Sequence, residues 1–454
     1  MSEKSIVTLP RLDLFTPVAL KSIDNEFSYQ TEQHDDFINN HYNYFPAILN
    51  ADGSIWTHAT LYLLSKIESV KPNNHLTLSS IASDLISFGR FIDIEDIDYL
   101  SSPKRKLRRP TYAYRSYLQD RVISQNLGLS TANRRIKSIV SFYRWLGTRK
   151  DTKFDFPLFQ AKEVSISYRD VKGFTQSKRV NSSNLSFNVP KNRDDYSEYI
   201  KDGGKLRPLS LDEQKSIFKA LGRINNTEMT LAFLIALATG ARMQTVFTLR
   251  LKDFLTPVVD GKQLILKVGL GTGVDTKYDK QMLLYLPSWV QYRIKTYIAS
   301  QRANKRRKIC SHEFSNSEDQ YLFLTQSGSP FYLGKYDGLD EQYRTPPKGG
   351  SIRQFISEKL IPELKKDGKN FDFSFHYLRA SFGMNLLDSK LRLIDRESTS
   401  LLDVLMFVKE RMGHNRIETT EQYLNYRKKI KIASFCQENY EKYLTDLMLF
   451  QEPK

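Results

Sequence analysis

Near the end of the chain, the sequence HYLR at His376–Arg379 is followed by MGH at Met412–His414 and then by Tyr423. Residues three or four positions apart are neighbours on a helix, so a helical segment would place His376 and Arg379 on one face. The planar guanidinium of arginine binds two phosphate oxygens at once, and the phenol of tyrosine can serve as a covalent nucleophile. Together with the second histidine, these residues predict a pocket that holds a phosphodiester beside an oxygen nucleophile.

The composition is that of a basic, globular protein. Of the 454 residues, 40% are hydrophobic and 26% are charged, which is typical of folded rather than disordered chains. The length exceeds that of one ordinary core and predicts two or three domains. Lysine and arginine outnumber aspartate and glutamate by 68 to 51, for a formal net charge of +17. This excess favours a polyanionic partner, with a merely soluble basic protein as the alternative.

The cysteines and the apolar segments bear on the compartment. Cys310 and Cys436 lie far apart, in neither a disulfide framework nor a zinc-binding spacing. The N-terminus lacks the charged and then apolar segments of a signal peptide. The longest apolar run, Met229–Ala238, is too short to span a bilayer. We therefore expect a soluble protein of a reducing compartment, with no membrane partner.

Residues 51–150 form a predicted helical module. Apolar residues recur there at helical spacing, as in Ile81, Leu85, Phe88 and Ile92. The candidates for phosphate contacts are Lys104, Arg105, Lys106, Arg108 and Arg109 between two prolines, and Arg134, Lys137 and Arg144 on the basic face of the last helix. For the basic run between the prolines, phosphate contact is favoured over a solvated loop. For the basic face of the last helix, a phosphate-binding surface and an ordinary surface helix are equally open interpretations.

The segments on either side of this module differ in pattern. Residues 1–50 carry more acidic than basic side chains, which argues against a basic N-terminal arm. Residues 151–206 are weakly patterned and predict a long interdomain linker with some local structure. A second domain begins with the sequence SLDE at Ser210–Glu213, which fits a capping box. Further along, Leu264–Leu266 and Leu283–Leu286 predict two strands, after which helices dominate.

The segment ATGAR at Ala238–Arg242 ends an apolar helix at Gly240. With this segment, the sequence resembles the tyrosine recombinases, the phage integrase family. Catalytic domains of that family carry Thr-Gly-x-Arg, a β-hairpin lysine, His-x-x-Arg, Gly-His and a nucleophilic tyrosine, in that order. This chain has a candidate for each position, and the resemblance covers Leu206–Lys431.

The resemblance implies a mainly helical fold with a small antiparallel β-sheet. An α+β catalytic domain would follow an N-terminal helical core-binding domain, and the two domains would form a clamp on duplex DNA. On this basis we expect an acidic N-terminal extension (1–50), a helical core-binding domain (51–150), a linker (151–206), a catalytic domain (207–435) and a C-terminal tail helix (436–454).

The resemblance also assigns roles to individual residues. It implies that Arg242 and Arg379 bind the two non-bridging oxygens of the scissile phosphate and stabilise the transition state. His414 would donate a hydrogen bond to the same phosphate, and His376 would position the tyrosine or act as its general base. Tyr423 would attack in line, leaving a 3′-phosphotyrosine linkage and a free 5′-hydroxyl.

At three positions the assignment leaves alternatives or departs from the family. A hairpin lysine protonates the leaving 5′-oxygen in the family, and Lys277 is the preferred candidate, with Lys280 as the alternative. Tyr426, nearly one helical turn further along, is a rival nucleophile. Three residues after its first arginine the family often has a supporting acidic residue, but this chain has Thr245. Another group is therefore expected to support Arg242.

The function that the resemblance implies is site-specific DNA recombination, for the integration or excision of a mobile element or prophage. Transesterification keeps the energy of the phosphodiester, so neither ATP nor Mg²⁺ is required and no cofactor or metal is expected. The implied partners are double-stranded DNA with a specific recombination site, a homotetramer on that DNA, and accessory DNA-bending or directionality proteins. The expected location is the bacterial cytoplasm, in association with the nucleoid. The alternatives are a relaxase similar to type IB topoisomerases and a catalytically inactive DNA-binding protein.

Overall fold

The computed structural model describes residues 3–14, 16–23, 26–32, 41–68, 75–169, 175–188, 199–310, 317–339, 342–343, 346–394 and 400–449. The chain divides into two compact units, residues 1–193 with 341–345 and residues 194–340 with 346–454. Each unit has its own hydrophobic core. The described part is mainly helical with small two-stranded antiparallel sheets, which confirms the predicted fold class.

The first unit is a helical module with strands before and after it in sequence. Its elements are β1 (Ser5–Asp13), β2 (Thr16–Ile23), β3 (Glu26–Glu32), β4 (His41–Leu49), α1 (Thr57–Ser65), α2 (His75–Ile94), α3 (Pro110–Ile123), α4 (Leu129–Leu146), β5 (Ala161–Arg169) and β6 (Thr175–Ser183). Strand β1 pairs with β4, β2 with β3, and β5 with β6. Strand β4 also packs against α2, so the segment predicted as an acidic extension contributes to this unit.

Helix α4 explains how the sequence pattern builds this module. Ile136, Ile139 and Tyr143 recur at helical spacing and are buried on one face. They share a core with Leu85 and Phe88 of α2. The rings of Phe88 and Tyr143 meet edge to face with centroids 5.9 Å apart, a favourable arrangement for aromatic rings. The periodic apolar residues are therefore the ones that hold the helices together.

The second unit is also mainly helical. Its elements are β7 (Ile200–Lys201), β8 (Lys205–Leu206), α5 (Leu211–Ile224), α6 (Thr227–Thr239), α7 (Met243–Phe247), β9 (Leu264–Val268), β10 (Met282–Leu286), α8 (Ser288–Ala299), α9 (Gln301–Ile309), α10 (Gly350–Phe355), α11 (Ile361–Lys366), α12 (Tyr377–Ile394), α13 (Leu401–Met412) and α14 (Ile417–Leu449). A π-helical turn joins α10 to α11. Helix α6 contacts α5, α7, α8, α12 and β10, so it lies at the centre of this core.

Local signals at the ends of α5 and α6 position the segment that follows. Ser210 accepts a hydrogen bond from the Glu213 amide, and the Glu213 carboxylate accepts one from the Ser210 amide, which confirms the predicted capping box. Helix α6 ends at Gly240, which has a φ of 70°. A side chain at Gly240 would collide with the ring of Phe382, so both the backbone conformation and the packing require glycine. The chain turns there and places Arg242 immediately before α7.

Strands β9 and β10 form the predicted hairpin. They pair antiparallel, with Leu266 opposite Leu284. In β9 the side chains of Leu264, Leu266 and Val268 alternate inward, as expected for a strand with one buried face. The loop that connects the two strands contains both candidate lysines.

Two segments are more regular than the sequence pattern indicated. The predicted linker, 151–206, contains strands β5 to β8, and its residues 170–174 and 189–198 lie outside the described residues. The tail helix expected from Cys436 is not a separate element, because α14 runs without interruption from Ile417 to Leu449. No glycine or proline occurs in that stretch to break the helix.

Candidate active site

Arg379 lies in the first turn of α12 and is 1% exposed. Its Nε donates to Oδ2 of Asp202 at 2.8 Å, its Nη1 to the Gly240 carbonyl at 2.8 Å, and its Nη2 to the Met412 carbonyl at 2.7 Å. These bonds fix the guanidinium between the ends of two helices. The Nε edge of the guanidinium faces an anion, the carboxylate of Asp202.

Arg242 points to the same anion from the segment after α6. Its Nη2 lies 3.3 Å from Oδ1 of Asp202. Burial lowers the pKa of Arg242, and the neighbouring charge of Arg379 acts in the same direction. Two like charges are therefore held close together, which is favourable only with an anion between them.

His414 approaches from the loop after α13. Its Nε2 lies 3.1 Å from Oδ2 of Asp202, and its Nδ1 lies 2.9 Å from Oγ1 of Thr420. Because a carboxylate can only accept, Nε2 carries the hydrogen and donates it. Burial lowers the pKa of His414, and the bond to Asp202 opposes that shift only in part. Gly413, with a φ of 63°, ends α13 and turns the histidine into the site.

Tyr423 completes the group from α14. Its side chain is 0% exposed, and its hydroxyl donates to Oδ2 of Asp202 at 3.2 Å. The Tyr423 and His414 rings have centroids 5.7 Å apart. Burial raises the pKa of the Tyr423 phenol, and the charge of Asp202 raises it further. The phenol is therefore protonated in this arrangement and must lose its proton to act as a nucleophile.

Asp202 is the centre of the cluster, and sequence reasoning did not identify it as a site residue. It lies at the tip of the hairpin formed by β7 and β8 and is 6% exposed. Burial alone would raise its pKa, but the hydrogen bond from His414 and the charges of Arg379 and Arg242 hold it well below the usual range. Sequence reasoning missed it because its segment is weakly patterned. The one available signal was Thr245, since the absence of an acidic residue there indicated that another group supports Arg242.

Both candidate lysines line a cavity of about 220 Å³ together with Asp202, Arg242 and His414. Lys280 donates to the Gly413 carbonyl at 3.0 Å and to Oδ1 of Asn415 at 2.7 Å. Burial lowers its pKa, and nearby cations, including Lys409 and Arg242, add to the shift.

Lys277 lies in the turn Lys277–Asp279, and its Nζ is close to the hairpin tip. A Cβ placed on Gly203 would be 2.9 Å from that Nζ. Both amines are therefore at the cavity, and geometry alone does not choose between them.

His376 immediately precedes α12, and its carbonyl accepts hydrogen bonds from the Arg379 and Ala380 amides. The sequence placed it within the helix, whereas the structure places it one residue before the first helical turn. Burial lowers the pKa of His376, and the charges of Arg242 and Arg379 lower it further. The imidazole is therefore neutral near pH 7, which is the form that accepts a proton.

Residues 207–429 match the sequence profile of the phage integrase family. This part of the chain belongs to that family. The match includes Arg242, His376, Arg379, His414 and Tyr423, which the sequence order had suggested. Asp202 lies just outside it.

Three solved structures that are similar to this chain at low sequence identity are described as complexes with DNA substrates or sites. The XerH site-specific recombinase bound to palindromic difH substrate, a post-cleavage complex, is 15% identical, with 84% of this chain and 89% of that chain covered and a TM-score of 0.45. The Tn1549 transposon integrase in complex with transposon right end DNA is 16% identical, with 81% of this chain and 94% of that chain covered and a TM-score of 0.42. A lambda integrase dimer bound to a COC′ core site is 12% identical, with 81% of this chain and 94% of that chain covered and a TM-score of 0.41. Among curated proteins, no sequence matches this chain.

Two other residues of the integrase domain bear on the assignment. Thr245 is buried, so the position that is often acidic in the family holds a small uncharged side chain here. Asp202 instead supplies the carboxylate beside Arg242. Tyr426 packs at the margin of the core and lies near Arg207. Burial lowers the pKa of Arg207, but Glu213 and, after it, Tyr426 raise this pKa above its usual value.

The cations of the first unit divide into exposed and internally bonded groups. Arg109 is 8% exposed, and its guanidinium donates to the carbonyls of Pro103, Lys104 and Pro157. Arg134 is exposed but also donates to the Asp84 carboxylate at 2.7 Å. The other exposed members are Lys104, Arg105, Lys106, Arg108, Lys137 and Arg144. These six keep side chains in solvent, so they remain the candidates for phosphate contacts.

Two further findings concern metals and membranes. Within the described ranges, no group of three or more histidine, cysteine, aspartate or glutamate side chains could hold a metal ion. None of the helices in the described part of this chain is long and apolar enough to cross a bilayer.

Proposed function

We propose that this protein is a site-specific DNA recombinase that cuts and rejoins duplex DNA through a 3′-phosphotyrosine intermediate. Its role would be the integration or excision of a mobile element or prophage. One observation carries the proposal. Arg242, Arg379, His414 and Tyr423 all direct polar hydrogens at one small anion, the carboxylate of Asp202. Such a convergent set of donors suits a phosphodiester, which carries the same single charge.

In the reaction, Arg242, Arg379 and His414 bind the non-bridging oxygens of the scissile phosphate. The phenolic oxygen of Tyr423 forms a bond to phosphorus while the bond from phosphorus to the 5′-oxygen breaks. The neutral His376 accepts the phenol proton or positions the phenol. Because a phosphodiester replaces a phosphodiester, the energy for rejoining is retained, and neither ATP nor a metal ion is needed.

The leaving 5′-oxygen requires a proton, and we assign its delivery to Lys277. This lysine lies at the cavity beside the hairpin tip. Lys280 is the alternative, because burial and neighbouring cations lower its pKa toward the operating pH of a general acid. Its existing bonds to Gly413 and Asn415 favour a role in holding the loop that carries His414.

We further propose that duplex DNA with a specific site is the substrate and that four protomers act together on two such sites. The exposed cations of the first unit would bind the DNA backbone without reading sequence. The C-terminal part of α14 would pack on a neighbouring protomer or on its own unit. Accessory DNA-bending or directionality proteins and a bacterial nucleoid location belong to the same proposal.

The proposal is tested with a nicked duplex that carries DNA flanking the open reading frame. The nick lies near the candidate cleavage position, so a short fragment escapes after cleavage and rejoining is blocked. We expect a covalent protein–DNA adduct in EDTA that disappears in Tyr423→Phe and persists in the control Tyr426→Phe. Loss of the adduct in Tyr426→Phe alone would show that the nucleophile is misassigned.

Two other outcomes would overturn the proposed reaction. An adduct on arbitrary supercoiled DNA, together with relaxation, would indicate an enzyme similar to type IB topoisomerases. Binding without an adduct on every flanking sequence would indicate a DNA-binding protein whose catalytic residues are inactive.

A further inference from the structure

The anion pocket of the second unit is filled by a side chain of the same chain. Oδ2 of Asp202 accepts from Arg379, His414 and Tyr423, and Oδ1 lies beside Arg242. Every group that the proposed function assigns to the non-bridging oxygens, and the nucleophile itself, is thus bonded to this carboxylate. A carboxylate and a phosphodiester have the same charge and both present two oxygens to such donors.

Two anions cannot share these donors. At hydrogen-bond distances from the same guanidinium groups, the carboxylate and the phosphate would lie close enough for strong repulsion in a buried site. Access is also closed, because the residues Arg379 and Tyr423 are 1% and 0% exposed. Asp202 and Gly203 are among the residues that line the neighbouring cavity. A DNA phosphate therefore reaches the nucleophile only after the carboxylate has left.

From this geometry we propose that Asp202 is an internal substitute for the scissile phosphate, which closes the active site and is displaced when DNA is engaged. The inference rests on the proposed function, since it takes the pocket to be the phosphate site. In consequence the apparent affinity for phosphate equals the affinity of the open pocket multiplied by the fraction of molecules in which the hairpin tip has left it.

The hairpin is constructed so that its tip can move while its base stays. Ile200 and Leu206, which pair at the base, are buried in the core. The tip is Asp202-Gly203-Gly204, and Gly203 has a φ of 72°. Two consecutive glycines allow backbone conformations that other residues resist, so the tip can reorient without unfolding its strands. The amide of Lys201 donates to Gln422 of α14 at 2.9 Å and marks the limit of the fixed part.

A different role for the same carboxylate is that of a catalytic base for Tyr423. The arrangement argues against it, because two arginines and a histidine stabilise the ionised form and leave the carboxylate a weak proton acceptor. A base would also have to remain in place while the phosphate binds. The two roles predict opposite effects of removing the charge.

The test compares the full-length protein with Asp202→Asn and Asp202→Ala. Inorganic phosphate binding is measured by calorimetry, and adduct formation is measured on the nicked duplex. We expect phosphate affinity to rise about tenfold in both variants, in line with a pocket that is mostly occupied. Adduct formation should reach its half-maximal rate at lower DNA concentration. The melting temperature should fall, because the buried Arg379 and the half-buried Arg242 lose their counter-ion.

Two controls make the phosphate readout specific. Glu228→Gln removes another buried carboxylate that is held by two arginines in the same unit. It should lower the melting temperature without any gain in phosphate affinity. Combining Asp202→Asn with Arg379→Gln should abolish the gain, because the added phosphate then lacks the charged Nε donor that Arg379 directs at this position.

The results separate this inference from the proposed function. If Asp202→Asn leaves phosphate affinity unchanged, or abolishes the adduct while the protein stays folded, the inference is wrong. If phosphate affinity rises but no variant forms an adduct, the inference that Asp202 occupies the pocket is supported and the proposed recombinase reaction is wrong. Should both variants fail to fold, hydrogen exchange on the wild-type protein decides. Amides of residues 202–204 should exchange faster with saturating duplex than without it, and unchanged or slower exchange would overturn the inference.

Discussion

Two clusters in the second unit each combine a carboxylate with two arginines and a tyrosine, and they differ in the backbone element that carries the carboxylate. Glu228 is buried in the first turn of α6, where Arg302 and Arg306 contact it at 2.7 and 3.2 Å and Tyr297 bonds to it. Asp202 has two arginines and a tyrosine too, but it lies on a hairpin tip with two glycines.

The difference shows what separates a structural ion pair from a site. A carboxylate in the first turn of a helix is stabilised by the helix dipole and fixed by the backbone. Asp202 has no helix to hold it, has two histidines in its surroundings and faces a cavity with two lysines. Residue types alone therefore do not identify the active site. The position of the carboxylate on a hairpin tip with two glycines and the presence of nearby proton donors and acceptors distinguish the candidate site.

The largest expected effect comes from the arginines of the two clusters. Arg379→Lys should slow adduct formation by about 10²–10³-fold, because a lysine amine cannot reproduce the planar donors that bind two carbonyls and the pocket anion together. Arg302→Lys is the matched change in the Glu228 cluster and should lower the melting temperature with little effect on the rate. Single-turnover kinetics and thermal denaturation measure both. Equal losses of rate in the two variants would contradict the distinction between the clusters.

Proton delivery should be confined to the Asp202 cluster. Lys277→Met is expected to slow adduct formation by about 10²-fold, the usual contribution of a general acid. A duplex with sulfur in place of the bridging 5′-oxygen should restore the rate, since a thiolate leaves without being protonated. Lys280→Met is the control, and sulfur should not rescue any defect that it causes. Rescue of Lys280→Met alone would assign the general acid to Lys280 instead.

The response to pH should also come from this cluster. Burial lowers the pKa of His376 and of His414. Below pH 6.5 the unfolded chain binds protons that the native state does not, so stability is full above that pH and declines as the pH falls toward the native values. The slope is at most about 1.4 kcal/mol per pH unit for each group. Urea denaturation from pH 7.5 to 5.5 should show a smaller slope in His376→Asn, and an unchanged slope would contradict the assignment.

The smallest effect is expected in the first unit, where adjacent arginines differ in burial. Arg108→Ala should reduce the salt dependence of DNA binding by about one phosphate contact and leave stability unchanged. Arg109→Ala should instead cost about 1–3 kcal/mol of stability, because three carbonyls lose a donor. Salt titrations and urea denaturation distinguish the two. A shared effect on the salt slope would return Arg109 to the phosphate-binding candidates.

Much of the fold could be predicted because its signals are local. The capping box at Ser210 and the glycine that ends α6 depend on residues within a few positions of each other. The order of Arg242, His376, Arg379, His414 and Tyr423 was enough to suggest the family. The continuity of α14 was also predictable in principle, since its sequence contains neither glycine nor proline.

What could not be predicted depends on contacts between distant parts of the chain. Asp202 meets Arg379, His414 and Tyr423 across separations of 177, 212 and 221 residues, and no periodicity in its segment indicates those contacts. Arg108 and Arg109 have the same local pattern, and only the packing of Pro103 and Pro157 around one of them decides which is buried. The choice between Lys277 and Lys280 is of the same kind, because both lie in one loop.

The two carbonyls that Arg379 holds belong to the C-terminal ends of α6 and α13. The carbonyl end of a helix carries about half an elementary negative charge. Two such ends together carry about one negative charge, so they offset part of the cost of burying Arg379 even when the carboxylate has left the pocket. Arg379 thus has two sets of partners, the helix ends of the protein itself and the anion in the pocket, to which Arg242 is also directed.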